Sequence, residues 1–302
     1  MRKVNLAVVG ATGMVGRTFL KVLEEKNLPI NNFYVMASAR SAGSKLTFMG
    51  KEYTVEELNE HSFDKPIDIA LFSAGGSTSA KFAPIAAQHG CVVIDNSAQW
   101  RQDPKVPLVV PEVNPEDIKW NSGIIANPNC STIQAMVVLK PLDDKYKIKR
   151  VVYSTYQAVS GAGVAGWKDL ENGLKGEAPK KFPHPIANNC LPHIDVFLDN
   201  GYTKEEMKMI WETRKILHHP DMRVTATTVR VPVFNSHSES INVEFENPVN
   251  IDEVKELLSS APGVVLQDDP ENNVYPLAVN AAGRDEVFVG RIRRDESVEN
   301  GI

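Results

Sequence analysis

Cys130 stands in the stretch Asn127-Pro128-Asn129-Cys130-Ser131-Thr132, directly ahead of a segment in which Ile133, Val137 and Val138 repeat at helical spacing. Pro128 ends the preceding extended run, so the thiol is predicted to sit at the N-terminus of a helix over 131–140. The partial positive charge of that end favours the thiolate, which is the reactive form of a cysteine. A thiolate beside the side-chain amide of Asn129 suits acyl transfer, where a nucleophile forms a covalent intermediate and a donor steadies an oxyanion. The other cysteines read differently. Cys91 lies inside an apolar run and is expected to be a packed thiol. Cys190 precedes His193 by three residues, but no second pair completes a zinc site, and no metal is expected. Three cysteines cannot pair completely, which argues against a disulfide framework.

A second chemical signature lies near the N-terminus. Gly10-Ala11-Thr12-Gly13-Met14-Val15-Gly16 follows a β-branched run and opens a helical one. Such a side-chain-free turn lets backbone N–H groups and a helix N-terminus approach a pyrophosphate, so Gly10, Thr12, Gly13, Met14 and Val15 are expected to meet a dinucleotide. The next strand, Phe33–Ala37, does not end in the carboxylate that would bind a ribose 2′-hydroxyl. It runs instead into Ser38-Ala39-Arg40-Ser41. Ser38, Arg40 and Ser41 fit a 2′-phosphate, which points to NADP over NAD. Ser73-Ala74-Gly75 is a second small-residue turn that would lie beside the same crevice, with Ser73 and Gly75 as further cofactor contacts.

These residues need elements to position them. In the first half, strand-like runs (Val4–Gly10, Phe33–Ala37, Ile67–Ala74, Cys91–Asp95, Gly123–Ala126) alternate with helical ones (Met14–Lys26, Ser77–Gln88), which implies a mostly parallel sheet with right-handed crossovers. Pro84 is expected to kink the second helix, and Gly90 to cap it. Beyond residue 147 the runs Lys149–Val159, Arg223–Val233 and Ser240–Glu246 are longer, and Glu205–Leu217 and Ile251–Ser260 are the main helices. The predicted fold is α/β: a Rossmann-type doubly wound parallel domain over 1–128, then an α+β catalytic and dimerisation domain with a mixed sheet over 129–302. A cleft is expected between them. The 302 residues carry 33 Lys and Arg against 38 Asp and Glu, a net charge of −5, and no basic run marks a nucleic-acid binder. No apolar run approaches the ~20 residues of a membrane span. The N-terminus lacks the pattern of a signal peptide. A soluble, cytoplasmic protein is expected.

GATGMVG, SARSAG, NPNCST, YQAVSGAG, WETRK and the pair Arg230 and His237, seven apart, occur in this order along essentially the whole chain. Together they resemble aspartate-β-semialdehyde dehydrogenase, and most of all the branch typical of Gram-positive and related bacteria. The resemblance implies a homodimer that interconverts 4-phospho-L-aspartate and NADPH with L-aspartate 4-semialdehyde, phosphate and NADP, on the route to lysine, threonine and methionine. It implies that Cys130 forms a thiohemiacetal and then a thioacyl enzyme that phosphate cleaves. Gln157 matches the substrate-orienting glutamine, and Ser160 and Gly161 match backbone contacts to the cofactor. His237 matches the acid/base histidine, a role that suits an imidazole titrating near neutrality. Arg230 matches the clamp on the substrate α-carboxylate, suited to a planar bidentate donor. Glu212 and Lys215, three apart on one helix face, match the ligands of the substrate amino group and phosphate. Arg101 matches the other phosphate ligand.

The family runs on beyond Ile302 with a further strand and a final helix that return to the cofactor domain, so weaker NADP binding is expected here than in a longer chain. Two alternatives share part of the pattern. One is an N-acetyl-γ-glutamyl-phosphate reductase, whose substrate has no cationic amine for Glu212. The other is a catalytically silent NADP-binding protein.

Overall fold

In the computed structural model, which describes residues 2–302, the chain up to Val109 and Pro115–Pro128 form one unit. Val110–Asn114 and Asn129–Ile302 form the second. The division after Pro128 carries one exception, since the short Val110–Asn114 segment belongs with the second unit.

The first unit runs β1 (Val4–Val9), α1 (Met14–Lys26), β2 (Ile30–Ala37), β3 (Lys45–Phe48), β4 (Lys51–Thr54), β5 (Glu56–Glu57), β6 (Ile69–Phe72), α2 (Gly76–Gln88), β7 (Val92–Asp95) and β8 (Ile124–Ala126). Six strands pair in the order β5-β2-β1-β6-β7-β8, all parallel. β1 is apolar at consecutive positions because both of its faces are covered, as parallel strands require. Leu6 and Val8 pack with Leu20 of α1, Phe33 and Val35 of β2 and Phe48 of β3. The chain leaves β1 toward β2 and β5, then returns to the other side of β1 with β6, β7 and β8. The turns after β1 and β6 therefore meet at the point where strand order reverses, the usual ligand crevice of such sheets. β3 and β4 form an antiparallel hairpin outside this sheet. Its two turn residues, Met49 and Gly50, both have positive φ, as a tight hairpin turn requires. Pro84 does not interrupt α2, which is continuous from Gly76 to Gln88. Gly90 follows it at φ 82°, the left-handed conformation of a helix stop.

The second unit comprises α3 (Cys130–Tyr146), β9 (Ile148–Gln157), α4 (Gly163–Gly173), α5 (Lys204–Ile216), β10 (Arg223–Arg230), β11 (Ser238–Phe245), α6 (Ile251–Ser259), β12 (Val264–Leu266), α7 (Ala278–Ala281) and β13 (Val287–Val289). β9 is the centre of a mixed sheet, parallel to β10 and antiparallel to β11. Val151, Tyr153, Thr155 and Gln157 alternate onto its buried face, and the Tyr153 hydroxyl meets Thr213 Oγ1 of α5 at 2.9 Å. The register sets Gln157 opposite Arg230 and Tyr156 opposite Ser238, so the end of β9, the end of β10 and the start of β11 converge. α3 begins at Cys130 and continues through Pro141 to Tyr146, six residues beyond the expected end.

Candidate active site

Cys130 is the first residue of α3 and is exposed. Asn129 caps the helix: its Oδ1 accepts from the N–H groups of Ser131 (2.9 Å) and Thr132 (3.2 Å). Its side-chain nitrogen donates to Glu205 Oε1 at 2.8 Å, and its backbone N–H donates to Glu212 Oε2 at 2.6 Å. The amide sought as an oxyanion donor is thus first of all a cap and an anchor for the turn that carries the thiol.

His237, one residue before β11, places Nε2 3.2 Å from Cys130 Sγ, and its Nδ1 accepts the Ala158 N–H at 2.9 Å. Burial, and next the Arg230 guanidinium, push the imidazole down to about 4, so the ring is neutral at physiological pH. Arg230 is itself buried and donates from Nη1 to the Ala158 carbonyl at 2.6 Å. Burial lowers its guanidinium from the ordinary value, against the pull of Glu205 and Cys130. Gln157 is buried beside them. Its Oε1 accepts from Thr155 Oγ1 at 3.0 Å, and its Nε2 donates to Glu205 Oε1 at 3.1 Å. Gly161 closes over the group, since a Cβ there would lie 2.9 Å from Arg230 Nη1 and 3.2 Å from His237 Cε1. The N–H groups of Ser160 and Gly161 already donate to Phe234 O (3.2 Å) and Ala158 O (3.2 Å).

The helix pair requires a correction. Glu212 is fully buried, and its carboxylate is taken up by the Asn129 backbone, so it does not present charge to a substrate. Lys215, three residues on, lies partly buried in the last turn of α5. The turn that faces the Cys130 cluster is the first one. Glu205 accepts from Asn129 and Gln157 at Oε1 and from Lys208 Nζ at Oε2 (3.0 Å). Lys208 also reaches Asp195 at 2.7 Å. Burial would raise the Glu205 carboxyl, but the Lys208 charge and these donors outweigh it and hold it below the usual value. Lys208 is conversely held above its ordinary value, because Glu205 and Asp195 overcome its burial. Glu205 and Glu212 are seven residues apart, almost two full turns, so both lie on one stripe of α5. Spacing alone therefore cannot tell which Glu–Lys pair, 205/208 or 212/215, meets the site. The Thr203/Glu206 capping box, readable as Thr-x-x-Glu, marks where the helix starts and so which turn is first.

In the first unit, Arg101 is buried and donates from Nε to Asn127 O (2.9 Å) and from Nη2 to Asn96 O (3.1 Å). The glycine loop shows why its residue types are needed. Gly10 has φ 84°, and a Cβ there would lie 2.3 Å from Ser73 O, so the two turns touch backbone to backbone. A Cβ on Gly16 would lie 2.2 Å from Gly10 O. Gly13 and Gly75 begin α1 and α2 without side-chain caps, which leaves their first N–H groups for an anionic ligand. Thr12 Oγ1 meets Ser41 Oγ at 3.3 Å, which brings the Ser38–Ser41 turn against the glycine loop, with Arg40 exposed on it. These features fit a dinucleotide whose ribose end lies at Ser38, Arg40 and Ser41. Met14 and Val15 open α1 at the same end.

Comparison with known proteins agrees with this arrangement. The semialdehyde dehydrogenase NAD-binding domain matches residues 5–121, and the semialdehyde dehydrogenase dimerisation domain matches 139–302. The aspartate-semialdehyde dehydrogenase of Aquifex aeolicus is 61% identical over 99% of this chain and 90% of its own length. The chain belongs to the aspartate-semialdehyde dehydrogenase family. Within the family, the crystal structure of the Vibrio cholerae enzyme II complexed with ASA superposes with a TM-score of 0.95 at 47% identity, covering all of this chain and 91% of that one. The Candida albicans aspartate semialdehyde dehydrogenase with NADP has a TM-score of 0.80 at 26% identity, over 99% of this chain and 92% of that one. Among the described residues, no group of three or more His, Cys, Asp or Glu could hold a metal, and no helix is long and apolar enough to cross a membrane.

Proposed function

We propose that this chain catalyses the reversible, NADP-linked conversion of 4-phospho-L-aspartate to L-aspartate 4-semialdehyde and phosphate, with Cys130 as the nucleophile. The observation that carries the assignment is the sulfur at the first position of α3, 3.2 Å from His237 Nε2, in one cluster with Gln157, Arg230 and Glu205. Arg230 supplies a planar cation for the substrate α-carboxylate. Glu205, kept ionised beside Lys208, supplies the anion for the substrate ammonium, and Lys208 a cation for phosphate. These two replace Glu212 and Lys215 in those roles. Arg101 serves as a further phosphate ligand, and Gln157 orients the acyl group. Asn129 holds the nucleophile's turn in place.

The first unit is the cofactor domain. NADP, when bound, accepts or returns the hydride. Gly10, Thr12, Gly13, Met14, Val15, Ser73 and Gly75 would hold its pyrophosphate end, and Ser38, Arg40 and Ser41 its 2′-phosphate. Ser160 and Gly161 of the second unit would contact it through their backbone. Two copies would associate through the second unit, matched by a dimerisation domain, where the half-exposed Tyr156 lies on the open face of the β10-β9-β11 sheet. A cytoplasmic biosynthetic enzyme is the matching setting.

The test is an assay of the purified chain with aspartate semialdehyde and NADP, with and without phosphate, following absorbance of the reduced nicotinamide. Sustained turnover only with phosphate is expected. Turnover of N-acetylglutamate semialdehyde in preference, or cofactor binding without turnover of either, would overturn the reading.

A further inference from the structure

Glu239 is a carboxyl that the chemistry above does not use. Strand alternation turns Ser238 and Ser240 of β11 outward and Glu239 inward, opposite Thr155 on the buried face of the sheet. Both of its carboxyl oxygens are buried, and neither has a hydrogen-bond partner within normal reach. A charge is costly in such a place. Burial pushes the carboxyl up to about 8, against the opposing effect of Gln134, so the group is a neutral acid at pH 7.

Among the described residues, no cation acts on it. β9 contributes Thr155, whose hydroxyl donates to Gln157 Oε1 instead. It also contributes the Tyr153 phenol, held above its ordinary value chiefly by burial and in part by Glu239. α3 contributes Gln134, while the Cys130 sulfur at its start does not act on the carboxyl. Arg291, Arg293 and Asp295 line the same cavity and do not act on it either.

A neutral acid has one O–H to donate. Gln134 gives its Nε2 to the His237 carbonyl at 3.3 Å, which leaves its Oε1 free to accept. We propose that Glu239, donating as a neutral acid to Gln134 Oε1, orients the Gln134 amide and so ties the start of β11 to α3, and that ionisation of Glu239 releases this tie. Glu239 is thereby a positioning residue. It acts through a side chain four residues after Cys130 and a carbonyl at the entry to β11. The two states are discrete, because an amide presents either its oxygen or its nitrogen. A carboxylate would draw Nε2 to itself, and Oε1 would then oppose the His237 carbonyl, acceptor against acceptor.

The sign of the pH effect follows from the two values of the group. Between the ordinary 4.5 and about 8, the folded chain keeps a proton that the unfolded chain has released, so stability falls as pH rises through that window. A glutamine cannot ionise, yet its NH₂ still donates to Gln134 Oε1. Glu239→Gln therefore keeps the tie and lacks the fall.

The test compares the full chain with Glu239→Gln and Glu239→Ala. The melting temperature of Glu239→Gln should gain on wild type steadily from about pH 5 to about pH 8. Infrared difference spectra between the two should show the C=O stretch of a protonated carboxyl below about pH 7, lost above about pH 8. A constant melting difference, or a carboxylate band already present below about pH 7, would overturn the proposal. The kinetic arm rests on the semialdehyde reading. Relative to wild type, kcat/KM of Glu239→Gln should be within about twofold at pH 7 and about tenfold higher at about pH 9, whereas Glu239→Ala should be about tenfold lower at pH 7. A flat ratio for Glu239→Gln, or wild-type rates in Glu239→Ala, would overturn the positioning role. Melting and infrared spectra need no turnover, so failure of the Glu239 assignment is distinguishable from failure of the semialdehyde assignment.

Discussion

Glu205→Gln is a near-isosteric change that the site cannot absorb. Glu205 Oε1 accepts from both Asn129 Nδ2 and Gln157 Nε2, and Oε2 accepts from Lys208 Nζ. A glutamine has one acceptor oxygen. Turned toward Asn129 and Gln157, it sets its NH₂ against the Lys208 ammonium. Turned the other way, it opposes two amide donors. Either orientation loses at least one hydrogen bond to a charged group, worth about 1.5–3 kcal/mol, or roughly 10- to 150-fold in an equilibrium or rate ratio. The proposed ligand of the substrate ammonium also loses its charge. KM for the semialdehyde should therefore rise within that range, with the NADP dissociation constant unchanged. Glu212→Gln is the control. Its carboxylate is fully buried against the Asn129 N–H at 2.6 Å, so the cost should fall on stability, lowering the melting temperature by roughly 4–10 °C while leaving KM within about twofold. The assay pairs steady-state kinetics with thermal melting for both variants. If Glu212→Gln raises KM and Glu205→Gln does not, the correction of the ligand pair is wrong.

Arg40→Ala should weaken NADP by roughly 10- to 150-fold and leave NAD nearly unchanged, because only NADP carries the 2′-phosphate; titration of both cofactors checks it, and equal losses would remove Arg40 from that site. Gly161→Ala should keep the fold but cut kcat/KM by about tenfold or more, since the added methyl comes within 2.9 Å of Arg230 Nη1 and within 3.2 Å of the His237 ring. Circular dichroism with kinetics checks it, and wild-type rates would show that the ring and guanidinium move aside freely. His237 has a folded value of about 4, below its ordinary value of 6.5, so between these values the unfolded chain binds more protons. Its contribution to stability is therefore complete above about pH 6.5 and is lost as pH falls toward about 4, by roughly 1–3 kcal/mol once partial solvent access is allowed for. Denaturant melts of wild type and His237→Gln across that range should converge at acid pH, and parallel curves would contradict the burial of a neutral ring.

The parts of this molecule that were legible in its residues are those with local physical signatures. The glycine loop was readable from its spacing between a strand and a helix, and the reason for the glycines is steric: a Cβ added at Gly10 or Gly16 would lie within 2.3 Å of backbone. Cys130 was readable because Pro128 and the cap residue Asn129 announce a helix start. The alternation Val151, Tyr153, Thr155, Gln157 announced the half-buried strand that carries the site's glutamine. What was not legible depends on which turn of an element meets another element. Glu205 and Glu212 share a face of α5 and both meet Asn129, so it is the approach of Gln157, at the end of β9, to the first turn that separates their tasks. The contact between the His237 ring and the Ala158 N–H was hidden for the same reason: the two residues are seventy-nine positions apart. α4 and the β3–β4 hairpin escaped because their residues have mixed polarity, although Phe48 and Leu170 within them are buried. α2 is continuous through Pro84, and α3 runs through Pro141 to Tyr146, past the expected end at 140, as packing of the surrounding turns outweighs one lost hydrogen bond in each helix.

The central claim is that Cys130 carries the acyl group, and mass spectrometry of the trapped enzyme tests it most directly. Mixing the chain with aspartate semialdehyde and NADP without phosphate should give a burst of reduced cofactor equal to the enzyme present, with an aspartyl adduct on the peptide containing Cys130. Adding phosphate should discharge the adduct and restart turnover. Cys190 is exposed as well, whereas Cys91 is buried, with its thiol pushed up to about 12 by burial and then by Asp68. Adduct on Cys130 alone is the predicted result. A burst that persists in Cys130→Ala, or an adduct located on Cys190, would contradict the account.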